Sequence, residues 1–160
     1  MSHIFQERQI AKTYISIVRG YTKSAETINY PLKNEAEVLQ DAISHYQTLE
    51  HTELNWPLGK HPTSRYSLIS LSPETGRMHQ LRRHMSHIFH PIIGDRPHGC
   101  SKQNRFFKSK WNFTEMLLHA RRLEFQHPFT NNSIVIQADF SPEFTRIHQL
   151  MQFKTPLISM

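Results

Sequence analysis

An α+β fold, built on a mixed, largely antiparallel sheet with flanking helices, is predicted by three features of this chain. Runs with two-residue alternation recur at residues 12–18, 42–49 and 65–71, and again beyond residue 117. One internal stretch, residues 76–89, carries a helical stripe. A capped amphipathic segment, SPEFTRIHQLM, follows the last strand. At 160 residues the chain suits one domain with its own core, or a large part of one.

The opening MSHIFQERQ reads as the end of a helix, and the recurrence of MSHIF at 85–89 is too short to be a repeat. In KTYISIV (12–18), Thr13, Ile15 and Ile17 face one way and Tyr14, Ser16 and Val18 the other, until Arg19-Gly20 ends the strand. Residues 21–39 have a weak pattern, and Pro31 and Lys33 suggest an irregular surface segment. AISHYQTL (42–49) is a second strand; the proline-interrupted WPLGKHPTS leads to a third at 65–71, and SPETG turns into the helix. Beyond it, HPIIGDRPHG holds two prolines and two glycines and reads as a rigid, irregular connection. Residues 102–111 interleave Lys102, Arg105, Lys108 and Lys110 with Phe106, Phe107 and Trp111, which fits either a nucleic-acid surface or a solvated loop tethered by its aromatics. LLHARRLEFQHP and SIVIQAD then pair across a PFTNN hairpin turn. In the last segment Ser141 is the N-cap and Pro142 the first helical residue, with Phe144, Ile147 and Met151 along one face.

At about 100° per residue, GRMHQLRRHMSHIF places Met78, Leu81, Met85, Ile88 and Phe89 on one arc, and His79, Gln80, Arg83, His84 and His87 opposite it. Arg82 falls at the edge of the apolar arc. A guanidinium keeps its proton, so burial there needs an anionic partner or a nearby pocket unless the head group snorkels to water.

Nineteen Lys and Arg against 13 Asp and Glu give a net charge of +6, with 12 histidines in reserve. Such a surface favours a polyanion, nucleic acid above all. The single cysteine, Cys100, excludes an internal disulfide and fits a reducing compartment. No apolar run has the length of a membrane span and no signal peptide is evident, so a soluble, cytoplasmic protein without membrane contact is expected. His84, His87 and His90 are spaced three apart, but HExxH, GxGxxG, Walker and GxSxG motifs are all missing; no metal site is expected.

Three segments in order, KTYISIVRG, LSPETGRMHQLRRHMSHIFHPIIGDRPHG and LLHARRLEFQHPFT, resemble the later motifs of the RluA-type pseudouridine synthase family. NYPLKNE, KHPTSRYSL, RRH and PHGCSKQNR carry a narrower likeness to the members of that family that modify tRNA. The resemblance runs from about Gln9 to Phe129. It implies an enzyme that needs neither cofactor nor metal and converts a uridine of tRNA to pseudouridine with an aspartate nucleophile. Lys12-Thr13-Tyr14 matches the family's Lys-x-Tyr strand, whose tyrosine stacks on the target uracil and acts as a candidate general base. Gly76, Arg77, His79, Gln80, Leu81 and Arg82 match its GRxHQ(I/L)R motif, in which the final arginine pairs with the catalytic aspartate. Tyr14 and Arg82 are therefore the expected catalytic residues, and Lys12, Arg77, His79, Gln80 and Arg83 the expected substrate contacts. Gly94-Asp95 matches a structural turn.

The family's aspartate belongs to an HRLD-type motif ahead of Lys-x-Tyr, and the chain contains no HRLD. Asp41, Asp95 and Asp139 are its only aspartates and match other places. Residues 1–160 are thus expected to be the C-terminal portion of a single, incomplete catalytic domain, inactive alone. Its Arg82 should turn to solvent, to an anion or to another carboxylate, beside a gap. A non-catalytic RNA-binding module and a basic domain that binds proteins are the competing readings. An exposed sheet edge would allow self-association.

Overall fold

The computed structural model describes residues 10–160. The N-terminal nonapeptide read above as a helix end lies outside them. Among the described residues, eight strands and three α-helices form an α+β architecture whose main sheet has the order β2-β5-β6-β1-β7-β8, every neighbour antiparallel. Its strands are β1 (Ile10–Arg19), β2 (Ala25–Asn29), β5 (Ile43–Leu54), β6 (Ser64–Pro73), β7 (Leu118–Gln126) and β8 (Ser133–Gln137). β3 (Leu32–Lys33) and β4 (Leu39–Gln40) make a separate two-stranded ribbon. The segment expected to be irregular at 21–39 therefore contains β2 and β3. Pairing of β2 with β5 and of β3 with β4 supplies the hydrogen bonds that their weak local pattern could not announce.

The central strand β6 is buried on both faces, which is why its sequence is apolar on both. Tyr66 and Leu68 join Ile15 and Ile17 on one side, while Ile69 and Leu71 join Val18 on the other. The first side is covered by α2 (Ser101–Trp111) and α3 (Pro142–Leu150) through Phe107, Phe144 and Ile147. α1 (Gln80–His87) covers the second through Leu81 and Met85. Residues 102–111 thus form a helix, in which Phe107 is fully buried, rather than a tethered loop. The Ser141 hydroxyl accepts from the amide of Phe144 at 3.1 Å, as its N-cap position requires.

α1 is shorter than the stripe that predicted it. His79 has a left-handed φ of 53° and Phe89 one of 65°, which closes the helix at both ends. Met78 and Phe89, placed by the wheel on the apolar arc, are exposed, and Gln80 and His84, placed opposite, are buried. Polar partners outweigh the simple pattern there. Pro91–Ile93 runs alongside β1 just where β7 has ended. Arg19 donates to the Pro91 carbonyl at 3.0 Å, Ile93 donates to Ile17 at 3.1 Å, and Val18 bridges Ile92. Gly94 and Asp95 are delivered beside α1 by this pairing.

Candidate functional site

Tyr14 lies in mid-β1, opposite Leu71 of β6 and Ala120 of β7. Strand alternation turns it to the face that α1 covers, where it packs against the Val18, Leu81 and Met85 cluster. A hollow of about 280 Å³ opens between the strand and the start of the helix. Lys12, Tyr14, Arg77, His79, Gln80 and Arg82 all line it. Six of the seven residues singled out from the sequence thus meet in one place. Arg83 does not: it projects to the other side of α1 and donates to the Lys33 carbonyl at 2.9 Å, tying the helix to the β3–β4 ribbon. A wider opening of about 600 Å³ shares Lys12 and Pro73 with the hollow and continues it along the first half of β1.

Arg82 is fixed by a two-pronged ion pair. Its Nε donates to Asp95 Oδ2 at 2.9 Å and its Nη2 to Oδ1 at 2.8 Å. The Asp95 side chain is 1% exposed and that of Arg82 16%. Burial alone would push the Asp95 carboxyl up. Hydrogen bonds from Arg82 and from the His98 amide, with the charge of Arg82, outweigh that and hold it below its ordinary value. The same hydrogen bonds from Arg82 to Asp95 raise the guanidinium further. Of the outcomes expected for Arg82, the structure shows the third, another carboxylate. The sequence marks Asp95 only as part of a turn. The scarcity of aspartates was the signal that could have found it, since few carboxylates were available to an inward-facing arginine.

Gln80 lines the hollow, yet its amide is engaged in holding the wall together. Its Oε1 accepts from Thr75 Oγ1 at 2.5 Å and from the Arg77 amide at 3.1 Å; its Nε2 donates to the Ile43 carbonyl and to Ser44 Oγ, each at 2.9 Å. His84 extends this network, with Nδ1 2.9 Å from Ser44 Oγ and Nε2 2.9 Å from the Tyr30 carbonyl. Since a carbonyl only accepts, Nε2 carries the proton and Nδ1 accepts from Ser44. Arg77 closes another side by donating from Nε to the Asp41 carbonyl at 2.9 Å.

At the rim, His79 Nδ1 lies 3.1 Å from His98 Nε2. Burial, together with the nearby Arg82, His79 and Arg83, pushes the His98 imidazole down against the pull of Asp95. Among the described residues no cluster of three His, Cys, Asp or Glu side chains is arranged to hold a metal ion, and no helix is long and apolar enough to cross a membrane. The arrangement offers a polar, cationic slot with one aromatic ring on its wall. Those are the features that receive a base swung out of an RNA strand.

Known proteins share this chain's sequence and fold. The sequence profile described as RNA pseudouridylate synthase matches residues 1–87. A tRNA pseudouridine synthase C of Haemophilus ducreyi is 44% identical over 148 residues, covering 86% of this chain and 61% of its own length. Its counterpart in Vibrio parahaemolyticus is 37% identical over 166 aligned positions, covering 97% of this chain and 68% of the relative. The chain therefore spans roughly two thirds of these relatives. Two solved structures share the fold. Human RNA pseudouridylate synthase domain containing 1 superposes with a TM-score of 0.68 at 23% identity, over 96% of this chain and 70% of that one. Human RNA pseudouridylate synthase domain containing 4 gives 0.71 at 21%, over 97% and 67%. The chain belongs to the RNA pseudouridylate synthase family.

Proposed function

We propose that residues 1–160 are the C-terminal portion of a single catalytic domain that isomerises a uridine of tRNA to pseudouridine. The observation that carries the reading is the shared hollow. Tyr14, on β1, and Arg82, on α1, come from distant parts of the sequence and line one cavity. The names of the tRNA pseudouridine synthase C relatives support tRNA as the substrate.

In this reaction an aspartate carboxylate bonds to C1′ of ribose as the bond from C1′ to N1 of uracil breaks; the base turns over, C5 bonds to C1′ and displaces the carboxylate, the C5 proton leaves and N1 takes one up. Tyr14 would stack on the uracil and take the proton, while Arg82 would orient the aspartate by the edge that Asp95 does not occupy. Lys12, Arg77 and His79 would meet the flanking phosphates. Gln80 would act through the wall it ties together, and Arg83 would contact RNA only from outside the hollow. Because the chain contains no HRLD sequence, we expect it to be inactive by itself, and cofactor-free when complemented. A single thiol is consistent with a cytoplasmic setting.

A second reading, a non-catalytic RNA-binding module, is favoured by one observation: Arg82 is already neutralised by Asp95 and does not need a further carboxylate. Supplying an HRLD-bearing segment in trans or as a fusion separates the two. Tritium release from C5-labelled uridine in tRNA is expected on the first reading. Tight tRNA binding without release would establish the second. The outer strands β2 and β8 are candidate self-association edges, β8 carrying exposed Val135 and Ile136.

A further inference from the structure

Behind the hollow, across the Gly94–Gly99 loop, lies a second cavity of about 260 Å³. Arg96 of the loop and Arg105 and Lys108 of α2 line its mouth together with Thr114. Phe107 and Phe113, both buried, are also part of its lining. No carboxylate side chain lines it. Among the described residues the ion pairs take up Lys23, Lys33, Arg65, Arg82, Arg121, Arg122 and Arg146, but not Arg96, Arg105 or Lys108. Three exposed cations from two separate elements thus face one concavity without a counter-ion of their own.

We infer that this cavity is a binding site for the phosphodiester backbone of RNA, distinct from the hollow at Tyr14 and Arg82. Its size falls below the about 300–1,000 Å³ of pockets that enclose drug-sized ligands. That suits a phosphate with its ribose rather than a whole cofactor. Neutralising phosphates with Arg and Lys releases counter-ions and positions a strand without reading its sequence. The two sites lie back to back on one residue. The Asp95 carboxylate holds Arg82 on the side of the hollow, while its backbone carbonyl accepts from Asn104 Nδ2 of α2 at 2.7 Å. Asn104 Oδ1 in turn accepts from the Gly94 amide at 2.9 Å, so α2 and the loop are locked at a fixed spacing from the hollow. RNA seated in the hollow has, a short way along its strand, a rigid cationic notch for its backbone.

The inference rests on RNA being the substrate, and its test keeps the two apart. Binding of transcribed tRNA to the full chain is measured at several salt concentrations for the parent, for Arg105→Gln/Lys108→Gln, and for the control Lys23→Gln/Lys60→Gln, with circular dichroism confirming the fold of each. The pocket variant should bind on the order of 10-fold more weakly and lose about 2 from the slope of log affinity against log salt. The control should keep the parental slope. A pocket variant that matches the parent, or a control that loses as much, overturns the site while leaving the RNA reading intact. A parent that does not bind RNA overturns both.

Discussion

Arg82 meets both oxygens of Asp95 at 2.9 and 2.8 Å, so a carboxylate in the loop behind α1 holds one edge of the guanidinium. This fixes the arginine without calling on any other carboxylate and leaves its far edge toward the hollow. The pair is also a strut between α1 and the loop. Asp95→Asn keeps one acceptor oxygen but removes the charge, leaving Arg82 uncompensated. The expected loss is about 3 kcal/mol at neutral pH, at the low end for a buried pair because Arg82 keeps some exposure. The sign with pH follows from the lowered Asp95 value. Its contribution is complete above the ordinary carboxyl value of 3.8 and is lost as pH falls through the still lower folded value. Urea titrations of parent and variant should therefore differ at pH 7 and converge in strong acid. A constant difference across that range would contradict the strut.

A second pH effect concerns the wall. Burial pushes the His84 imidazole down, the Tyr30 carbonyl pulls it up, and the charges of His87 and Arg83 push it down again, with a net lowering. Protonation would put a donor on Nδ1 against Ser44 Oγ, which already accepts from Gln80. The neutral ring is the form that fits. Stability from this residue is thus complete above the ordinary value of 6.5 and declines as pH drops below it. His98 and His148 are lowered too, so the bulk curve alone does not isolate His84. NMR titration does, and His84 protonating at or above 6.5 would refute the donor–acceptor assignment.

Much of this was legible in the sequence where local pattern and burial agree. β1 alternates apolar residues on two faces because α1 covers one and α2 and α3 the other. The Ser141 cap and the Phe144–Ile147–Met151 stripe are local signals and survive folding unchanged. What was hidden depends on pairing across long separations. β2 becomes a strand only because β5 lies beside it. Gln80 and His84 look like solvent-facing residues until Ser44 and the Tyr30 carbonyl, 36 and 54 residues away, satisfy them. For Arg82 the wheel gave the direction and the need for an anion. Its partner is brought into reach by the pairing of Pro91–Ile93 with β1. The candidate cleft was legible through residue types matched to a family pattern, while Arg83, next to Arg82 in sequence, lies outside the hollow because neighbours on a helix point about 100° apart.

Gly94 tests whether the loop must follow this path. Its φ of +86° suits glycine, and a Cβ there would come within 1.8 Å of the Glu115 carbonyl oxygen, a backbone atom that cannot swing aside. Gly94→Ala should cost about 3 kcal/mol or more, combining the strain of the conformation with the collision. Gly59→Ala, with open space around it, is the matched control and should change stability little. Equal melting temperatures for the two variants would mean that the loop relaxes freely.

The ring and the hydroxyl of Tyr14 can be separated once the chain is complemented with an HRLD-bearing segment. Stacking a base on an aromatic ring contributes about 1–3 kcal/mol, and Tyr14→Ala forfeits it, so KM should rise by about 10-fold or more. Tyr14→Phe keeps the ring. If the hydroxyl takes the C5 proton, its loss should leave KM near the parent's while kcat falls on the order of 100-fold, the lower range for a general base. The readout is tritium release from C5, since that proton must depart for the new bond to C1′ to persist. Because Tyr14 is only partly buried against the Leu81–Met85 cluster and also lines the hollow, the phenylalanine variant should fold as the parent does. An unchanged kcat in Tyr14→Phe would assign proton removal elsewhere and leave Tyr14 as a stacking platform alone.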